Sequence, residues 1–427
     1  MKQLIFLTYF FILLPISLLA QISIDECYQK TLANYPQVKQ YDLIERTANY
    51  NLSNVAKAYL PQISLSGRAT YQSDVTEIPL DFSQLQALGL NIPEIPTPNK
   101  DQYQVVLDVN QTIWDGGIAS AQRRGTRAAS EVEKQKLEVD LYALKERINQ
   151  LFFGILMLNE QLAQNDILQN ELNINYKRIS AYIENGIANR SDLDAVRIEQ
   201  INARQQKTQI EAARKSYLQM LSAFTNEKID ENTALQKPVL PATEISHTIA
   251  RPEIKLFDAQ TQMFDSQRSA ILAGAMPRFG LFAQGGYGNP GLNMLNDKFD
   301  FYYIAGIRMS WNFSALYTQK NDLNKIVLNK KNVDVQRETF LFNNNLQNRQ
   351  QQNEIARLKE LIKNDDELIS LRQNIKKSAE AKVANGTMTV SDLLRAINAE
   401  NLARQTKSLN EIKLYLAVYQ NKITNGE

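Results

Sequence analysis

The chain has 427 residues, with 48 Lys and Arg against 46 Asp and Glu, a formal charge of +2 and 44% hydrophobic residues. This balance, with short basic clusters such as Arg123, Arg124 and Arg127 scattered over helical stretches, gives no electrostatic footprint for nucleic acid. A single cysteine, Cys27, and a single histidine, His247, exclude disulfide frameworks, Cys/His metal sites and Cys/His or Ser/His nucleophile pairs, so no cofactor, metal or enzyme activity is expected.

Residues 1–20 read as an export signal: Lys2 starts it, Leu4 to Leu14 form the apolar stretch, and Pro15 and Ala20 precede a cut before Gln21, with Leu18 an imperfect fit to the cleavage pattern. Ile24, Asp25 and Glu26 are too polar for a lipid-attachment site, so no lipid anchor is expected at Cys27. The longest later apolar run, Leu151 to Leu158, falls short of the ~20 residues a spanning helix needs. Any membrane crossing must therefore be made by strands.

The chain is an internal duplication. Asn185, Gly186, Ser191, Asp192, Leu193, Ala203, Arg204, Gln205 and Lys207 return 200 positions later as Asn385, Gly386, Ser391, Asp392, Leu393, Ala403, Arg404, Gln405 and Lys407. Pro36 and Pro61 return 216 positions later as Pro252 and Pro277, so the first copy carries 16 extra residues, placed in the Pro-rich stretch from Thr76 to Asp101. The expected repeats are 21–224 and 251–427, joined by a connector, 225–250, in which His247 reads as surface.

Each repeat opens with short helices, Asp25 to Ala58 broken at Pro36, and Pro252 to Ala273. Strict alternation then predicts strands at 61–75, 102–114, 277–287 and 299–313, for example Ile63, Leu65, Gly67, Ala69 and Tyr71 against Gln62, Ser64, Ser66, Arg68 and Thr70. These lengths suffice to cross a bilayer, and Tyr71, Tyr103, Trp114, Tyr287 and Trp311 gather near the ends as interfacial aromatics do. A soluble sandwich with one wet face is the alternative. The Gly285, Gly286 and Gly288 cluster precedes no helix and reads as a turn at a barrel end.

Long helical hairpins follow, at 118–224 and 315–422. Leu137, Leu141, Leu144, Ile148, Leu151, Ile155, Leu158 and Leu162 are spaced alternately by 4 and 3, a heptad seam resumed at Leu168, Leu172, Tyr176, Ile179 and Ile183. From Ile118 to Asn185 no proline intervenes, so one helix could run on the order of 100 Å. Gly186 and Gly386 are placed to end the outgoing helices, with Ser191 and Ser391 expected to cap the returning ones. In the second hairpin Asn343, Asn344, Asn345, Gln350, Gln351 and Gln352 leave a polar stripe, expected to be a solvated face or to line water, and not to be core.

Strands in lipid must close, and four per chain are too few; two to four copies would have to pool them. Here the sequence resembles the TolC family of outer-membrane efflux and secretion channels. Asn34-Tyr35-Pro36 followed by Leu60 to Gly67 is similar to the family's helix-to-strand transition, Gln111 to Gly117 to its strand-to-helix transition, and the two Gly-x4-Ser-Asp-Leu turns to its hairpin tips. Asn312-Phe313-Ser314-Ala315 departs from that pattern, leaving the second transition's geometry open. The resemblance implies a mixed α and β membrane protein: a homotrimer whose shared β-barrel in outer-membrane lipid continues as a coiled-coil α-helical barrel through the periplasm of a Gram-negative-type cell. It implies passive efflux or secretion, with a periplasmic adaptor protein and an inner-membrane transporter as partners. Asp192 and Asp392 match the family's acidic constriction, the alternative for each being a first-turn residue favoured by the helix dipole, with the gate the favoured reading at Asp392. Gly186, Ile187, Ser191, Gly386, Thr387, Met388 and Ser391 fall at the tips that meet the adaptor, while Met388 and Arg395 replace charges some relatives carry. A periplasmic coiled-coil adaptor would explain the heptads without needing lipid-length strands, and a secreted enzyme would explain export without any converging catalytic group.

Overall fold

The computed structural model describes residues 21–77, 97–186, 188–240 and 249–427. The signal segment, Pro79, Pro93 and Pro96, Ile187 and His247 lie outside the described residues. In chain order the elements are α1 (Ile24–Asn34), α2 (Gln40–Ala56), β1 (Gln62–Tyr71), β2 (Asp101–Trp114), α3 (Ile118–Tyr142), α4 (Leu144–Glu184), α5 (Arg190–Thr225), α6 (Pro252–Gly274), β3 (Arg278–Asn289), β4 (Asp300–Ser310), α7 (Ala315–Ala384) and α8 (Val390–Asn425). Two compact units cut across the sequence repeats: one takes residues up to Gln40, Lys136–Ile254 and Glu338–Glu427, the other Tyr41–Gln135 and Lys255–Arg337. Among the described residues no helix is long and apolar enough to cross a membrane.

The second unit holds an antiparallel sheet of order β1-β2-β3-β4. Its register carries the period-two pattern across all four strands: Leu65 pairs with Leu107, Leu107 with Gly285, and Gly285 with Tyr303. One face is therefore apolar, and it is exposed, with Leu65, Tyr303 and Ile307 all more than 70% accessible. The opposite face is polar: Arg68 donates to Gln104 Oε1 at 3.0 Å and Gln284 to Asp108 Oδ1 at 3.1 Å. Gly285, Gly286 and Gly288 lie inside β3 and do not form the expected turn. At Gly286 a side chain would overlap the ring of Tyr302, its partner on β4, so glycine there makes room for an aromatic.

The two strand-to-helix transitions use one device. Asp115 accepts from Gly117 N at 2.8 Å and Ala119 N at 2.6 Å, starting α3. Asn312 accepts from Ser314 N at 3.1 Å and Ser314 Oγ at 2.6 Å, starting α7, so the departure from Asp-Gly-Gly preserves the turn. Gly116 is required only at the first, where φ is +72° and a Cβ would sit 2.8 Å from Met276 Cβ.

In the first unit much of the heptad seam is core, though Leu158 and Leu162 are only half-buried and Phe152 and Phe153 join it from outside the seam. Ile148, Leu151, Phe152, Phe153 and Ile155 of α4 pack with Leu218 and Leu221 of α5, Ile24 and Cys27 of α1, and Ile412 and Tyr419 of α8. Each such side chain contributes about 1.5–3 kcal/mol when fully buried. Cys27 is wholly buried, and burial pushes its thiol up to about 12. The expected single helix after β2 is interrupted only at Ala143, whose N–H still reaches Val139 O at 3.2 Å. The expected polar stripe on α7 is not uniformly wet. Asn343, Asn345 and Gln350 are exposed, but Asn344 is buried and donates to Thr424 O at 2.7 Å, because one residue of the stripe turns inward at each pass of the helix.

Candidate functional site

The hairpin tips lie in the first unit. At the first, Asn185 caps α4, Gly186 follows at φ +71° and its N–H reaches Ile183 O at 3.0 Å. At the second, Gly386 has φ +68°, with Gly386 N on Val383 O at 3.0 Å and Thr387 N on Lys382 O at 2.9 Å. Both glycines thus end their helices in the left-handed region that a Cβ disfavours.

The returning helices are each capped two residues earlier than the serine spacing indicates. Asn189 caps α5: its Oδ1 accepts from Asp192 N at 3.1 Å while Asp192 Oδ2 accepts from Asn189 N at 3.0 Å. Thr389 caps α8, its Oγ1 accepting from Asp392 N at 3.1 Å. Ser191 and Ser391 are exposed first-turn residues, and Ser191 donates to Asn189 Oδ1 at 2.5 Å. Serine loses because Asn189 and Thr389 already hold the extended backbone that a cap needs.

A cavity of about 380 Å³ separates the tips, lined by Asp192 and Asn189 of the first and Gly386, Thr387, Met388 and Thr389 of the second. Asp392 does not line it; its Oδ1 faces Arg395 Nη1 at 3.4 Å. Below the tips Ile179 and Val196 of the first hairpin pack with Val383, Leu393 and Ile397 of the second. Among the described residues no His, Cys, Asp and Glu group is arranged to hold a metal.

Sequence reasoning missed the ion pairs that join these helices. Lys376 of α7 bridges Glu171 of α4 at 2.7 Å and Glu400 of α8 at 2.5 Å, and Arg404 completes the set on Glu400 at 2.8 Å. Burial pushes the Glu400 carboxyl up, but hydrogen bonds and charge from Lys376 and Arg404 outweigh it and hold the group below the usual carboxylate range. Lys207 pairs with Asp166 at 2.8 Å, and its repeat image Lys407 pairs with Asp366. Each lysine is raised by that hydrogen bond. The signal was present: Asp166 and Asp366 are also 200 residues apart, as are their lysines.

Residues 27–227 match the family model described as outer membrane efflux protein. No curated protein matches the sequence significantly. The fold is similar to that of the outer membrane protein VceC from Vibrio cholerae, at 13% identity, covering 94% of this chain and 96% of that one, with a TM-score of 0.66. It is similar also to the Campylobacter jejuni CmeC outer membrane channel, at 16% identity, 94% and 85% coverage and a TM-score of 0.65. The open state of the Neisseria gonorrhoeae MtrE outer membrane channel gives 12% identity, 94% and 89% coverage and a TM-score of 0.65. At such identities the likeness is one of fold. The family match covers residues 27–227, under half of the chain, and over 94% of its length the chain carries the fold of these outer-membrane channels.

Proposed function

We propose that three copies of this chain form a passive channel through the outer membrane, reached by efflux or secretion cargo from a periplasmic adaptor and an inner-membrane transporter. The observation that carries this reading is the sheet: its apolar face is exposed, and among the described residues β1 pairs only with β2 and β4 only with β3. An open edge in hydrocarbon leaves amides unpaired, so the edges must pair with other copies, and three copies would supply twelve strands. The polar face then lines water. The helical hairpins extend the conduit, and their tips form its narrow end, where Asp192 and Asp392 of three copies set a cation-favouring constriction. Gly186, Ser191, Gly386, Thr387, Met388 and Ser391 present the surface that the adaptor meets.

Detergent-extracted protein should sediment near three chain masses and, in planar bilayers, give discrete cation-selective conductance. A stable monomer retaining all four strands in lipid sinks the closure argument. Membrane fractionation decides against the alternative: a periplasmic adaptor or structural protein leaves with the soluble periplasm.

A further inference from the structure

At the end of the sheet nearest α3, the polar face carries two arginines that form no ion pair among the described residues. Arg278 pairs in register with Ser310, and Arg308 with Gly280, which makes the two guanidiniums diagonal neighbours across the β3-β4 ladder, about 7 to 8 Å apart at their roots. Like charges so placed repel. Among the described residues neither has a carboxylate partner. The nearby acid, Asp115, is committed to the Gly117 and Ala119 amides, and Asp108, further along the face, to Gln284.

The arginines border a cavity of about 380 Å³ that also includes Thr112, Ser310, Gly280 and Asp115. Gly280 sits between Thr112 and Arg308 in register, and a Cβ there would lie 2.9 Å from Gln111 O, so glycine lets the β2 and β3 backbones approach beneath the groove. Arg308 lies over the Phe282 ring at 4.7 Å, which fixes the guanidinium plane while leaving its in-plane N–H donors free.

We propose that this groove is an oxyanion site, taking a phosphate or carboxylate group between Arg278 and Arg308 with Thr112 and Ser310 hydroxyls as neutral donors. Two guanidiniums bordering one cavity, against the single carboxylate of Asp115, match the planar, multidentate recognition of such groups. A bound anion also relieves their mutual repulsion. The site rests on the polar face of one chain's sheet, and not on assembly into a pore.

The test uses the full chain purified in uncharged micelles. Its two tryptophans report on the groove, since Trp114 faces Phe279 across the ladder and Trp311 follows Ser310. Inorganic phosphate, titrated against chloride at constant ionic strength, should give a saturable change in tryptophan emission. R278Q or R308Q should weaken it roughly tenfold or more, as loss of one charge-assisted contact implies, and the double variant should abolish it. Without phosphate, both variants should melt at or above the wild-type temperature, whereas a merely structural role for the arginines lowers it. A second arm adds phosphatidylglycerol to the micelles: an arginine-dependent response there alone assigns a lipid headgroup, and a response to phosphate assigns a soluble solute. No saturable change in either arm, or a double variant that responds like wild type, overturns the proposal. Because the titration needs no conductance, a chain that fails as a channel leaves this result interpretable, and the converse holds.

Discussion

Asn189 and Asp192 satisfy one another reciprocally, the Asn189 side chain accepting from the Asp192 amide at 3.1 Å and the Asp192 carboxylate from the Asn189 amide at 3.0 Å. At the second tip Thr389 takes the amide of Asp392 in the same way, at 3.1 Å. The acids proposed for the constriction are thus also parts of helix starts, and the two roles separate by mutation. Thr389→Ala removes the cap and should cost about 1 kcal/mol in thermal unfolding while leaving ion selectivity unchanged. Asp392→Asn should cost only a few tenths of a kcal/mol but reduce cation selectivity and block by divalent ions. Reversal potentials in asymmetric salt decide it: intact selectivity in Asp392→Asn makes that residue a capping acid only.

The Lys376 network should be indispensable once built. Lys376→Met leaves Glu400, buried and 3% accessible, with one cation in place of two, and should destabilise the chain by roughly 3 kcal/mol or more. Because the folded Glu400 carboxyl lies below its ordinary 4.5, the stabilisation is present above that pH and fades as pH falls below it. Lys376 is opposed by burial but raised above 10.5 by the hydrogen bonds it donates to Glu171 and Glu400, so the alkaline loss begins as pH climbs beyond that value. Denaturant midpoints of wild type and variant should differ most between these limits; a difference constant from pH 3 to 11 would count against the network.

Leu151→Asp places a charge in the α4 core and should prevent folded protein from accumulating, at a cost of several kcal/mol. Asn344→Ala leaves Thr424 O without its buried donor and should cost about 1–3 kcal/mol. Asn343→Ala, on an exposed position of the same stripe, should stay within about 0.5 kcal/mol. Equal effects at Asn343 and Asn344 in chemical denaturation would contradict the burial described.

Gly386→Ala and Gly186→Ala meet open space but retain a positive φ, so each should cost roughly 1–2 kcal/mol through backbone strain alone. Melting curves of the two variants should shift alike. A much larger shift at either tip would mean that a neighbouring group fills the space beside it.

The period-two pattern determined the strands and their apolar face, and the spacings of 4 and 3 picked out Leu144, Leu151, Leu168 and Leu172 of the α4 core but not Leu156, because local periodicity fixes which side chains share a face and not how many neighbours cover it. The offset of 200 likewise made both tips legible, and a left-handed glycine is a local requirement. Which residue caps a helix depended on backbone angles that serine, asparagine and threonine all tolerate, so Asn189 and Thr389 emerged only from the structure. The inward turn of Asn344 and the meeting of Glu171, Lys376 and Glu400 were decided by tertiary packing. Those groups are tens or hundreds of residues apart, on helices whose relative rotation no one-dimensional pattern specifies. The pairing of Arg278 with Ser310 and of Arg308 with Gly280 is likewise a matter of register, and register is a relation between strands.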